Sequence, residues 1–180
     1  CVMQVMFGDT NNSSASLLQR DGWNVITPKN QGCCGALYAH SGQMEKARDC
    51  ARKNIAAFEE QSLEAIIINA AGCGSTLVEY GHLLKDDPDW VVRAEEFSEK
   101  VKDLVTWLDG SHVSSVCSSE KVTYHDACHL CHAQGISLEP RQLVKARAGD
   151  NFIELGENID LSFIEFNEIF LISKLSFFNL

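Results

Sequence analysis

Ala65-Ile66-Ile67-Ile68-Asn69 runs straight into Ala70-Ala71-Gly72-Cys73-Gly74, and Ser75 to Leu84 follows. The first five residues are apolar and β-rich, the pattern of a buried strand. A Gly-rich turn and a helix over Ser75 to Leu84 then complete a strand–turn–helix unit, the building block of α/β folds. Cys73 is thereby expected at a helix N-terminus, where the partial positive charge lowers a thiol's pKa. The turn is not a dinucleotide fingerprint. Gly72-Cys73-Gly74 supplies GxG, but Leu77 stands where the third glycine is needed.

Upstream lies a second unusual turn, Gln31-Gly32-Cys33-Cys34-Gly35-Ala36-Leu37. Neighbouring cysteines almost never pair with each other, because their Cα atoms are too close for an unstrained disulfide. The flanking glycines let the backbone turn sharply and approach a ligand. The loop therefore offers two thiolates at one point. Cys1 precedes Cys33 with 31 residues between them, and Cys73 follows Cys34 with 38 between. Eight cysteines in 180 residues allow a disulfide framework or metal and redox work. Long helical patterns, ample core residues and cysteines gathered in Gly-rich turns favour the second.

The rest of the chain fills in around these turns. Val2 to Leu18 reads as a helix opened by Cys1, broken around Gly8 to Ser14 and ended by Gly22. Trp23 to Thr27 reads as a short strand stopped by Pro28. Met44, Ala47, Ala51, Ile55 and Phe58 recur at helical spacing, with Ser41 as N-cap. Cys50 lies near that stripe and reads as a small core residue. Pro88 opens a helix whose stripe is Trp90, Ala94, Phe97, Val101, Leu104 and Leu108. Gly110 to Glu120 is a Ser-rich loop in which Cys117 is incidental. Val122 to Tyr124 is a short strand running into His125-Asp126-Ala127-Cys128-His129-Leu130-Cys131-His132. A helix is expected from Pro140 and a last strand over Asn151 to Leu155. Residues 157–180 differ in composition, with no Ala, Gly, Pro, Arg, Val, Thr or Cys and five of the nine Phe. They read as an amphipathic surface helix or, preferably, as a non-native tail.

Composition narrows the classes. At 45% hydrophobic and 22% charged the chain reads as soluble and globular. A net charge of −10 argues against nucleic acid as a partner. No signal peptide is read at the start, and no apolar run is long enough to cross a bilayer. The first residue is Cys, so the chain is read as a fragment or a processed form. Cys1, Cys33, Cys34 and Cys73 supply four thiolates for an iron–sulfur cluster, each beside a turn at an element end. A doubly wound fold brings such turns to one edge of its sheet. Structural zinc is the first rival, but only Cys128 and Cys131 make a CxxC knuckle. Cys128-His129-Leu130-Cys131-His132 also matches the CxxCH haem pattern, a cheap match that ranks below the cluster. His40 and His82 read as surface or supporting groups.

Three segments, QGCCGALYAHSG (31–42), NAAGCGSTLVEYGHLLKDDP (69–88) and TYHDACHLCHAQGI (123–136), resemble the cysteine-rich "CCG" domain of the glycolate oxidase iron–sulfur subunit. The likeness covers roughly residues 1–155. The iron–sulfur subunits of lactate utilisation, anaerobic glycerol-3-phosphate dehydrogenase and heterodisulfide reductase are more distant relatives. The resemblance implies an α/β fold: a duplicated cysteine-rich (CCG) domain with small parallel sheets flanked by helices, its second repeat incomplete. On this reading residues 1–120 are the first repeat, 121–156 the start of the second, and 157–180 an atypical tail. Cys1, Cys33, Cys34 and Cys73 match the first copy of the motif, and Cys128 opens the second. Ala70 stands where the extra cysteine of the family's CxxC would be, which leaves a four-thiolate set and implies a 4Fe-4S type of iron–sulfur cluster. No cysteine follows Cys131, so the second site is incomplete. The resemblance further implies an electron-transfer role beside flavin-binding glycolate oxidase subunits, with quinone or another acceptor downstream. The expected location is cytoplasmic or peripheral at the inner membrane, without activity of the chain alone. The alternatives are a sister subunit acting with lactate or glycerol 3-phosphate, or a non-catalytic docking module with structural zinc.

Overall fold

The computed structural model describes residues 5–108, 121–154 and 169–172. The chain divides into two units, residues 1–107 and 108–180. In the first, helix α1 (Gly8–Arg20) leads through a long loop to α2 (Ala36–His40) and α3 (Met44–Glu59). Strand β1 (Ile66–Ile68) follows, then α4 (Ala71–Leu77), α5 (Tyr80–Leu83) and α6 (Val91–Lys100). Strand β2 (Val101–Asp103) and α7 (Leu104–Trp107) close the unit. β1 and β2 pair in parallel, with Ile66 opposite Val101 and Ile68 opposite Asp103. Parallel pairing requires a long crossover, and α4 to α6 form it.

The core of this unit is one cluster. It joins Ile66 and Val101 of the sheet to Ala51 and Ile55 of α3, Leu77, Tyr80, Leu84, and Ala94 and Phe97 of α6. Phe97 meets Phe58 edge-on at 5.6 Å and stacks on Tyr80 at 5.3 Å. Truncating such a ring to alanine costs about 3–5 kcal/mol. Cys34 belongs to the same cluster and is 8% exposed. The cysteine loop is thus anchored in the core.

In the second unit β3 (Lys121–Tyr124) pairs in parallel with β4 (Ile169–Ile172), Lys121 opposite Ile169 and Tyr124 opposite Ile172. Between them lie a π-helical turn (His129–Ala133), α8 (Leu138–Ala148) and a 3-10 turn (Gly149–Asn151). Both units therefore carry a small parallel sheet with helices, the α/β class expected.

Several sequence expectations need correction. The stripe read as one helix from Pro88 to Leu108 breaks at Lys100, and β2 follows. Val101 and Asp103 are buried with Lys102 exposed between them, a period-2 pattern. Phe97, Val101 and Leu104 also satisfy a helical period, so spacing alone did not separate the two. Gly8 to Ser14 lies inside α1 rather than breaking a helix. Hydroxyls there bond back to the helix, Ser14 Oγ to the Thr10 carbonyl at 2.8 Å and Ser16 Oγ to that of Asn12 at 2.9 Å. Trp23 to Thr27 is not a strand. Its side chains do not alternate between core and solvent, and Trp23 packs on Trp107 at 5.2 Å. Ser41 does not cap α3, whose N-cap is Gln43; the Ser41 hydroxyl donates to the Tyr38 carbonyl instead. Of the strand expected over Asn151 to Leu155, the described residues 151–154 contribute a bridge, Phe152 against Val122, and Leu155 lies outside the described residues. In the compositionally odd tail, Ile169–Ile172 is extended, not helical. Cys1, Cys117 and most of that tail lie outside the described residues.

Candidate metal centre

The Cys33–Cys34 loop reaches α2 through Gly35, whose φ is +87°. A Cβ at this position would sit 3.1 Å from the Ala47 carbonyl oxygen, 3.2 Å from the Ala47 Cα and 3.2 Å from the Cys50 Cβ. Both the left-handed backbone and the space demand glycine. The loop is then clamped from beneath. Asn54 Oδ1 accepts from the Gly32 N–H at 2.7 Å, and Asn54 Nδ2 donates to the Cys33 carbonyl at 2.9 Å and to the Tyr80 hydroxyl at 3.0 Å. The Tyr80 hydroxyl donates to the Cys34 carbonyl at 2.8 Å. Asn54 is 2% exposed and Tyr80 fully buried. Burial of the phenol pushes its pKa above the ordinary tyrosine value. It therefore remains a donor.

Cys73 arrives from the other side, in the first turn of α4. Its side chain lies next to that of Cys34, which is also close to Cys33 and to the Ala36 N–H. The Gly35 N–H points at Cys33 Sγ at 3.5 Å. The structure thus brings the side chains of Cys33, Cys34 and Cys73 together. The bond from Cys73 pulls the Cys34 pKa down to about 6, against the opposing effect of burial. Cys73 moves the other way. Its proton is held by the bond to Cys34, and burial adds to the effect. Cys73 does lie in the first turn of its helix, as expected, and its titration is shared with that of Cys34. In this pair the first proton leaves easily and the second is retained, because two adjacent thiolates repel.

Cys50 is half-buried on α3 beside Gly35. Burial, then the negative charges of Cys33 and Cys34, raise its pKa. Sequence reading placed it near the core stripe and missed its closeness to the loop. It also missed Asn54 and Tyr80. Asn54 was detectable as a polar residue on the apolar stripe of α3, between Ala51 and Phe58. Tyr80 carried no such signal, because its partners are main-chain carbonyls distant in sequence. A further polar contact ties the end of β1 to α1, with Asn69 Nδ2 donating to Asn11 Oδ1 at 2.9 Å and Ser14 Oγ at 3.1 Å.

Cys128 is exposed and precedes the π-helical turn of the second unit; Cys131 within that turn is half-buried. Nearby, Arg141 grips Asp126 with both nitrogens, at 2.6 and 2.7 Å, and Glu154 at 2.8 Å. Among the described residues no group of three or more His, Cys, Asp or Glu forms a ready site for a metal ion. Three neighbouring thiols, one of them facing the Gly35 N–H, nevertheless suit the chemistry of an iron–sulfur cluster, which takes thiolate ligands and accepts N–H···S bonds.

Several known proteins are similar to this chain in sequence. A probable glycolate oxidase iron–sulfur subunit of Bacillus subtilis (strain 168) is 45% identical over 86% of this chain and 36% of its own length. Lactate utilization protein A of Oceanobacillus iheyensis is 32% identical over 86% of this chain and 64% of its own. The glycolate oxidase iron–sulfur subunit of Escherichia coli (strain K12) is 34% identical over 80% of this chain and 37% of its own. The chain thus spans less than two thirds of the length of these relatives. No solved structure matches it. The family model for the cysteine-rich (CCG) domain matches residues 1–78 and 122–161, which take in both cysteine turns of the first unit and the cysteine turn of the second. On that match, the chain belongs to the cysteine-rich CCG domain family.

Proposed function

We propose that this chain is part of the iron–sulfur subunit of a glycolate-oxidising dehydrogenase and carries electrons away from a flavin-binding partner. The observation that carries this reading is the gathering of Cys73 beside Cys33 and Cys34, on a loop clamped into the core by Asn54 and Tyr80. Identity of 45% to a protein named a probable glycolate oxidase iron–sulfur subunit supports the glycolate assignment over the lactate one, at 32%. The ligand set is Cys33, Cys34, Cys73 and Cys1, for a cluster of the 4Fe-4S type, with Cys128 belonging to the second copy of the motif. When bound, such a cluster supplies one-electron transfer. The chain's own part is to present thiolates, direct N–H groups at them and keep one side of the loop dry. Flavin-binding glycolate oxidase subunits are the electron donors, and quinone or another carrier is the acceptor. The domain division is a first repeat at 1–120, the start of a second at 121–156 and an atypical tail. No described helix is long and apolar enough to cross a membrane, which fits a cytoplasmic or peripheral inner-membrane location. The chain alone has no glycolate-oxidising activity.

Iron, acid-labile sulfide and zinc per chain, measured after purification without oxygen, test the reading. Iron with matching sulfide, absent from the Cys33→Ser/Cys34→Ser variant, is the expected result. Zinc without sulfide would replace the cluster with a structural metal site.

A further inference from the structure

Two peptide units form the thiol loop, and each has its carbonyl bonded on the buried side. The Cys33 carbonyl accepts from Asn54 Nδ2 at 2.9 Å, and the Cys34 carbonyl accepts from the Tyr80 hydroxyl at 2.8 Å. A trans peptide is planar, so its C=O and the following N–H point in opposite directions. The orientation of one is therefore the orientation of the other. The Cys34 carbonyl shares its peptide plane with the Gly35 N–H, which is the group aimed at Cys33 Sγ at 3.5 Å.

We propose that Tyr80, held by Asn54, is a positioning residue for the cysteine centre: by fixing the Cys34 carbonyl it turns the Gly35 N–H onto the Cys33 sulfur. The network is built for this purpose in three respects. It is buried, with Tyr80 at 0% and Asn54 at 2% exposure. It is saturated, since Asn54 uses its oxygen and both amide hydrogens on Gly32, Cys33 and Tyr80. The Tyr80 ring is itself immobilised by stacking on Phe97 at 5.3 Å. Bonds from N–H groups to cluster sulfurs stabilise the added negative charge of the reduced state and so raise the reduction potential. Tyr80 would thereby set the potential of a cluster whose metal it does not touch. The inference rests on the cluster reading.

The test compares wild type, Tyr80→Phe and Val101→Ala in the full chain, loaded with iron and sulfide without oxygen and titrated potentiometrically by EPR. Tyr80→Phe removes only the hydroxyl. Val101→Ala disturbs the same core cluster from β2 without removing a hydrogen-bonding group or the ring that stacks on Tyr80. The expected result is a more negative midpoint potential and a changed EPR line shape for Tyr80→Phe. Val101→Ala should lower the unfolding midpoint and leave the potential in place. An unchanged potential in Tyr80→Phe, or an equal shift in Val101→Ala, overturns the proposal. If wild type takes up no iron and sulfide, the cluster reading fails, and the positioning claim is decided on the metal-free chain by amide hydrogen exchange. Exchange of the Gly35 amide about tenfold faster in Tyr80→Phe than in the other two supports it, the loss of one hydrogen bond being the cause. Equal exchange in all three overturns it.

Discussion

The two units carry cysteine turns of the same family, held in different ways. In the first, the Cys33–Cys34 loop is sunk into the core, and its carbonyls are tied to Asn54 and Tyr80. In the second, Cys128 is exposed, and the nearby order comes from an ion pair of Arg141 with Asp126, both about a third exposed or less. A clamped loop presents its sulfurs in one geometry and directs N–H groups at them. An exposed turn beside an ion pair has the residue types without that support. A CxxC pattern therefore says less about a working centre than the bonds beneath it.

The largest expected effect would break the comparison outright. Cys33→Ser/Cys34→Ser should abolish iron and sulfide uptake, whereas Cys128→Ser/Cys131→Ser should leave it near the wild-type level. Metal analysis of the two double variants checks this, and loss in both would make the units equivalent. Next in size is a pair of glycines. Gly35 and Gly135 both have positive φ, +87° and +69°, but a Cβ on Gly35 meets the α3 backbone while one on Gly135 meets nothing within 4 Å. Gly35→Ala should cost about 3 kcal/mol, from strain plus overpacking, and Gly135→Ala about 1 kcal/mol, from strain alone. All three tryptophans (Trp23, Trp90 and Trp107) lie in the first unit. Urea unfolding followed by their fluorescence reads the first variant, and amide exchange in α8 the second.

The comparison also sharpens with pH, because the two units should respond with opposite signs. Asp103 is buried at the end of β2, with the Val105 N–H bonded to its Oδ1 at 3.1 Å. Burial pushes its pKa up to about 6. A raised carboxyl pKa means stability is greatest below the unfolded value near 4 and declines as pH rises towards 6. Asp103→Asn keeps the acceptor and removes the charge. It should stabilise the first unit by roughly 2 kcal/mol at pH 7 and by nothing at pH 3.5, as read by fluorescence-detected unfolding. Asp126 is the reverse case. The Arg141 guanidinium holds its carboxyl below the usual range. The resulting stability is present above the unfolded pKa and lost as pH falls below about 4. Arg141→Met should cost about 1 kcal/mol at pH 7 and nothing at pH 2.5, since exposed pairs are weak. Amide exchange in α8 at the two pH values measures it.

Much of the fold was legible, and particular residues show where legibility stopped. Ile66 to Ile68 and the stripe of α3 announced themselves, because three β-branched residues before a glycine turn and apolar residues at helical spacing have few other uses. Val101 to Asp103 did not, since three residues satisfy both periods and only the neighbouring β1 chooses between them. Cys33, Cys34 and Cys73 stood out through their glycine context. Asn54 and Tyr80 did not, because a side chain that bonds a distant main-chain carbonyl leaves no pattern in its own surroundings.

By itself the sequence determined which residues are the candidates: thiols in glycine turns, on an α/β framework. Only the tertiary structure decided how those thiols stand to one another. It made Cys34 and Cys73 titrate as a coupled pair and placed Tyr80 beneath the loop. The reason is physical. Residue type and spacing are local properties, whereas hydrogen bonds, burial and charge repulsion depend on atoms brought within a few ångströms from distant parts of the chain.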